Sequence, residues 1–283
     1  MTYTNYELSS LALRVGMVAR RAGDIIMRVY HDAANGRLEV EEKFDGSPVT
    51  KADRLAHEYI CSQLPLLEEG SKDFLIISEE NAQLPDYERV RKANSMYWLV
   101  DPLDGTKEFI ARNGEFSINI ALIENGIPVI GIIYQPTTST LYTGWRGGDP
   151  IWCNHGSIFG GDVLMQPRKF SMSEAGLRVL VSRSHFEATN PAMSSFLGKL
   201  NEPDVSHSGS SLKFVEIAKG WSHLYPRFGP TMEWDTAAGD AILRAVGGAI
   251  IDANTGLPLV YNKPDLRNPP FIARGLTKLD IEP

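Results

Sequence analysis

Leu8, Leu11, Val15, Val18, Ala22, Ile25, Ile26 and Val29 return every three or four positions. That spacing predicts one long amphipathic helix at the start of the chain. LEVEEKFDGSPVT changes period and carries Asp45-Gly46, which predicts a short hairpin. ADRLAHEYICSQLPLL returns to helical spacing and is expected to break near Pro65. DFLIIS (73–78) and MYWLV (96–100) are short apolar runs and read as strands. FSINIALIENGIPVIGIIYQP predicts two strands around Asn125-Gly126, and TSTLYTGW one more.

The stretch GGDPIWCNHGSIFGGDV is glycine-rich and irregular. A domain boundary is placed just after it, dividing residues 1–165 from 166–283. LRVLVS then predicts a strand, PAMSSFLGKL and SSLKFVEIAKG helices, and SHLYPRF a strand. WDTAAGDAILRAVG predicts a helix opened by Asp235, and GGAIIDANTG a strand and turn. Strands alternating with helices predict an α/β second half, whereas hairpins with two helices predict an α+β first half. With no internal repeat or low-complexity linker, the halves are expected to pack tightly.

Composition narrows the function classes. At 283 residues the chain can hold one large core or two fused ones. With 43% hydrophobic and 22% charged residues it is an ordinary globular sequence. A net charge of −7 argues against sequence-blind binding of a nucleic-acid polymer, which needs a basic face. Cys61 and Cys153 form no CxxC pair and no disulfide framework. The N-terminal segment has helical spacing and no cleavage pattern, and no run approaches the ~20 apolar residues of a membrane span. A cytoplasmic location is expected, with peripheral association at the inner membrane left open.

Four acidic stretches fall at predicted element ends: Thr50 to Asp53, Glu79-Glu80, Asp101-Pro-Leu-Asp104-Gly-Thr106, and Glu233-Trp-Asp235. Each has a local structural reading. Thr50 and Asp53 fit a capping box. Glu79-Glu80 fits a solvated loop, Asp104-Gly105 a turn, and Asp235 a helix N-cap. Together they fit a site. Clustered carboxylates raise one another's pKa and stay ionised at neutral pH if hard divalent cations sit among them. All-oxygen donors select Mg²⁺, Mn²⁺ or Ca²⁺ rather than zinc. Pro102 stiffens a turn in which Asp101, the Leu103 carbonyl and Asp104 can converge on metal. Gly105 and Thr106 then open a helix whose free N–H groups can hold a phosphate.

Glu79-Glu80, DPLDGT (101–106) and WDTAAG (234–239) together resemble the inositol monophosphatase superfamily of Mg²⁺-dependent, Li⁺-sensitive phosphatases. DGTKEFI, GSSLKFVEIAKG and LYPRFGPTMEWDTAAGDAIL are more similar to its CysQ-type 3'(2'),5'-bisphosphate nucleotidases. The resemblance implies a layered αβαβα sandwich of the inositol monophosphatase and fructose-1,6-bisphosphatase type, spanning the α+β and α/β halves. It implies removal of the 3'-phosphate of adenosine 3',5'-bisphosphate, a by-product of sulfate activation, with 3'-phosphoadenylyl sulfate a further candidate substrate. Glu79, Asp101, the Leu103 carbonyl, Asp104 and Asp235 become metal ligands for two or three Mg²⁺, with Mn²⁺ a substitute. Asp53 and Thr106 would orient and deprotonate the attacking water, supported by Glu80. Gly105 and Thr106 would hold the scissile phosphate, and His185, Ser210, Lys213 and Arg227 the nucleoside and second phosphate. A homodimer is common in the superfamily. Two rivals stand beside this expectation: an inositol monophosphatase or other small phosphomonoester phosphatase, and a non-catalytic nucleotide or metal sensor.

Overall fold

The computed structural model describes residues 3–33, 40–43, 46, 48–67, 74–82, 94–153, 163–184 and 190–277. The chain opens with helix α1 (Asn5–Ala33), a hairpin β1 (Val40–Glu42) and β2 (Pro48–Thr50), and helix α2 (Lys51–Gln63). The predicted break at Pro65 is a 3-10 turn, Leu64–Leu66. Strands β3 (Leu75–Ser78) and β4 (Met96–Asp104) lead into a short helix α3 (Thr106–Ile110). Strands β5 (Ser117–Glu124), β6 (Ile127–Gln135), β7 (Thr140–Trp145), β8 (Ile151–Cys153) and β9 (Val163–Leu164) follow. They complete a seven-stranded sheet in chain order, parallel only between β3 and β4.

Beyond it come β10 (Arg178–Ser182), α4 (Pro191–Leu197), β11 (Asp204–Ser208), α5 (Leu212–Ala218) and β12 (Leu224–Arg227). Helix α6 (Glu233–Ala245) and strands β13 (Ala249–Asp252) and β14 (Phe271–Arg274) end the fold. The second sheet has the order β11-β10-β12-β14-β13, with β10 parallel to both its neighbours.

Side-chain alternation along the strands separates three cores. Trp98, Val100, Ile120, Leu122, Ile130 and Ile132 face α1 and α2. Their neighbours Tyr97, Leu99, Ala121, Ile123 and Ile133 face a second core shared with α5, α6 and the inner face of the smaller sheet. Val179 and Leu224 face outward to a third core with Phe196 and Leu197 of α4. The layers therefore run helix, sheet, helix, sheet, helix. Helix α6 lies very close on the large sheet. A Cβ at Gly131 would fall 2.2 Å from the Ala238 carbonyl oxygen, and one at Gly144 2.8 Å from Ile242 Cα. Only glycine permits that approach.

The elements match the pattern with three differences. β4 continues past Val100 through the expected turn, because pairing with β5 resumes after a bulge between Asp101 and Asp104. Pro102, which has no N–H to donate, sits in that bulge. Asp235 is not the N-cap of α6; Met232 is, and Asp235 is the third helical residue. Strands β8, β9, β11 and β14 were not predicted; β8 and the start of β9 lie in the glycine-rich stretch read as irregular. β11 reads DVSHS, an edge strand with mostly exposed side chains and so no apolar alternation.

Candidate active site

Thr50 caps α2, and Asp53 Oδ2 accepts from the Thr50 amide at 2.8 Å and its hydroxyl at 2.6 Å. The capping box is real, but it occupies one carboxylate oxygen. The other, Oδ1, accepts from Thr106 Oγ1 at 3.1 Å, 53 residues along the chain. Thr106 Oγ1 also stands 3.3 Å from the Leu103 carbonyl. Burial pushes the Asp53 carboxyl up; its bonds from Thr50 oppose this, and Glu80 adds to it.

β3 delivers Glu79 and Glu80 into a turn pinned by Asn81 Oδ1, which accepts from the Ser78 amide at 2.7 Å. Lys43, beside the β1–β2 hairpin, donates to Glu79 Oε1 at 2.6 Å and Glu80 Oε1 at 2.7 Å. Nothing in the sequence marks that lysine, since it follows two glutamates on a polar hairpin. Burial pushes Glu79 up, Lys43 pulls it down, and Glu80 and Asp53 push it up again.

The bulge in β4 turns Asp101 and Asp104 into the same space. Asp101 is buried, and its Oδ1 accepts from the Leu103 amide at 3.1 Å. Burial holds it well above the ordinary carboxylate range, reinforced by Glu79, Asp104 and Asp235. Asp235 reaches the cluster from the first turn of α6, where its Oδ2 accepts from the Met232 amide at 2.7 Å. Burial also holds Asp235 well above the usual range, followed by the charge of Asp104. Asp104 Oδ2 accepts from Ser210 Oγ and Ser211 Oγ, each at 2.7 Å, and from Asn119 Nδ2 at 3.3 Å. Ser211 and Asn119 were not anticipated; Ser211 could have been suspected from the doubled serine.

The loop carrying Ser210 is held from the first half of the chain. Glu115 Oε2 accepts from the Gly209 amide at 2.7 Å, and both Glu115 oxygens accept from Arg183 at 2.7 Å. Ser210 itself adopts φ 51°, a left-handed conformation unusual for serine.

A cavity of about 240 Å³ is lined by Glu79, Asp104, Thr106 and Asp235 together with Lys213 and Arg227. Lys213 is buried and donates to the Ser208 and Ser210 carbonyls at 3.1 and 2.5 Å. Burial pulls its amine down to about 8. Arg227 donates from Nη2 to the Pro230 carbonyl at 3.0 Å, while its buried Nε has no hydrogen-bond partner. No carboxylate among the described residues forms an ion pair with Arg227. His185 lies outside the described residues.

No three His, Cys, Asp or Glu side chains among the described residues are gathered closely enough to hold an ion as they stand. The donor set nonetheless fits a hard divalent cation: carboxylates and a carbonyl, with no imidazole or thiolate. Three of these carboxylates, Glu79, Asp101 and Asp235, are pushed up by burial and by their neighbours, a cost that a cation would remove.

A stability prediction follows from those directions. A carboxyl whose folded pKa is raised binds protons more tightly folded than unfolded, so the metal-free chain loses stability as pH rises above about 4, the ordinary carboxylate value. In chelator, Tm is expected to fall between pH 5 and pH 7.5, and saturating Mg²⁺ should flatten that slope. A thermal melt series with and without Mg²⁺ reads both; a slope that Mg²⁺ leaves unchanged would speak against ion binding at this cluster.

The chain matches the inositol monophosphatase family over residues 9–279. It is 41% identical over 260 residues to the 3'(2'),5'-bisphosphate nucleotidase CysQ of Escherichia coli (strain K12), covering 91% of this chain and 97% of that protein. The crystal structure of CysQ from Bacteroides thetaiotaomicron superposes with a TM-score of 0.78 at 37% identity, covering 96% of this chain and 99% of that one. Inositol monophosphatase from Anabaena superposes with a TM-score of 0.67 at 21% identity, covering 96% and 92% of the two chains, a likeness of fold alone.

Proposed function

The chain belongs to the inositol monophosphatase family, and from that premise we propose that it is a Mg²⁺-dependent phosphomonoesterase acting on adenosine 3',5'-bisphosphate. It cleaves the 3'-phosphate and releases AMP and inorganic phosphate. One observation carries this reading: a single pocket is lined both by carboxylates with Thr106, itself bonded to Asp53, and by the cations Lys213 and Arg227. A monoester substrate needs only the first feature. A substrate with a second phosphate needs both.

Glu79, Asp101, the Leu103 carbonyl, Asp104 and Asp235 would hold Mg²⁺, with Mn²⁺ a substitute. When bound, the cations lower the pKa of the attacking water and stabilise charge on the leaving oxygen. Asp53 Oδ1, which accepts the Thr106 hydroxyl, takes that proton as Thr106 Oγ1 takes one from the attacking water, so the carboxylate is the base and Thr106 the relay. Glu80 orients the same water. Gly105 and Thr106 present backbone amides to the scissile phosphate. Water oxygen bonds to phosphorus as the ester bond breaks, and the ribose 3'-oxygen leaves with a proton from solvent, to which Asp53 returns the one it took. Lys213 and Arg227 hold the 5'-phosphate, and Ser210 borders the nucleoside. We assign the same chemistry, with lower preference, to 3'-phosphoadenylyl sulfate.

The test is phosphate release from adenosine 3',5'-bisphosphate and from inositol 1-phosphate, in Mg²⁺, with and without Li⁺. Strong preference for the nucleotide, suppressed by Li⁺, is expected. Preference for the inositol ester would keep the acidic cluster and overturn the reading of Lys213 and Arg227. Nucleotide binding without phosphate release would favour a sensor. No helix among the described residues is long and apolar enough to cross a membrane.

A further inference from the structure

One carboxylate on the pocket wall has no part in the chemistry above. Glu108, on α3, is only 5% exposed, yet it lines the cavity. Its Oε1 accepts a hydrogen bond from Ser184 Oγ. Its Oε2 stands beside the DGT turn: a Cβ built on Gly105 would lie 3.3 Å from Glu108 Oε2 and 3.3 Å from Ser210 Cβ. No donor among the described residues reaches Oε2. Oε2 is open to the pocket rather than held by a donor from the described residues, and a carboxylate oxygen is an acceptor only. The donor it lacks is one a ligand can bring.

The position narrows which ligand group that is. Gly105 is where the proposed substrate places its scissile phosphate. A phosphate itself brings acceptors and negative charge, which Glu108 repels. The nearest donor on a ribose 3'-ester is the hydroxyl on the adjacent carbon, the 2'-hydroxyl. On a 2'-ester the adjacent hydroxyl is the 3'-hydroxyl, so the same acceptor serves both.

Resting on the nucleotidase reading above, we propose that Glu108 determines specificity by accepting, through Oε2, a hydrogen bond from the ribose hydroxyl vicinal to the scissile phosphate. The pocket then selects a phosphate on a vicinal diol over an isolated one. Arg227 and Lys213 contribute nothing to that choice, because they address the distant phosphate. The competing role for Glu108 is structural: tying α3 to Ser184 across the two halves. A tether would affect all substrates alike.

The experiment compares kcat/KM for adenosine 3',5'-bisphosphate and its 2'-deoxy counterpart in wild-type protein and in Glu108→Ala. Wild type is expected to prefer the ribonucleotide by roughly ten- to hundredfold, the value of a hydrogen bond to a charged acceptor. Glu108→Ala is expected to lose most of its rate on the ribonucleotide and little on the deoxynucleotide, so the preference collapses. Equal wild-type rates on the two nucleotides would overturn the proposal without any variant. So would a variant that slows on both substrates in the same proportion. Wild-type release from neither nucleotide is a different result, because it removes the nucleotidase reading on which the proposal rests.

Discussion

Asp101→Asn and Asp235→Asn are each expected to lower kcat by on the order of a thousandfold while leaving the chain folded. The two halves of that statement have one cause. Both carboxyls are held above their ordinary pKa by burial and by neighbouring carboxylates. A neutral amide of the same shape removes that repulsion. It can still accept from the Leu103 amide at position 101 and the Met232 amide at position 235. In chelator each variant is therefore expected to melt no lower than wild type. In Mg²⁺ the order reverses. A ligand at a hundred times its Kd stabilises the folded state by about 2.7 kcal/mol, which wild type gains and the variants largely lose. Melting curves in chelator and in Mg²⁺, beside phosphate release, separate the effects. A variant that retains wild-type turnover would remove that residue from the proposed ligands; one that is unfolded in chelator would show that its charge is structural.

Arg227→Met is expected to raise KM for adenosine 3',5'-bisphosphate by on the order of a hundredfold, and for adenosine 3'-monophosphate by only a few-fold. Arg227 is buried, spends Nη2 on one carbonyl and keeps an unpartnered Nε. A planar guanidinium with free donors suits a phosphate. Lys213 differs, because its amine already holds the Ser208 and Ser210 carbonyls. Through Ser210 it reaches Asp104, so its loss should lower kcat as well as raise KM. Steady-state kinetics on the two nucleotides tests the contrast. An equal change on both in Arg227→Met would move Arg227 away from the second phosphate.

Much of this arrangement was legible because local and global demands coincide. The Asn125-Gly126 turn between the apolar runs SINIALIE and IPVIGIIYQ predicts a hairpin, and the two strands form and pair where the runs place them, one face toward each helix layer. The acidic stretches were visible because each falls at an element end, Glu79 and Asp101 just beyond an apolar run and Asp53 and Asp235 in the first turn of a helix. Other features were not, for physical reasons. The bulge at Asp101 to Asp104 is a pairing event with β5, and a run ending in Asp-Pro carries no trace of it. Lys43 depends on a hairpin folding over the glutamate turn. Glu108 was quoted in KEF but left without a role, since only the fold sets its free oxygen beside Gly105. Glu115 gave no signal: its partners Arg183 and Gly209 come from the other half of the chain.

The closeness of α6 to the large sheet sets a dimension that no single ligand controls. Asp235 belongs to the first turn of this helix, three residues before Ala238, whose carbonyl rests against Gly131. Three residues of helix rise about 4.5 Å, so the two points move together as parts of one rigid rod. A methyl group at position 131 would act as a shim, raising the rod from the sheet and carrying Asp235 away from Asp101 and Asp104, which belong to the sheet. The gauge of the acidic cluster is thus cut at a glycine outside the pocket, by the thickness of the layer between them.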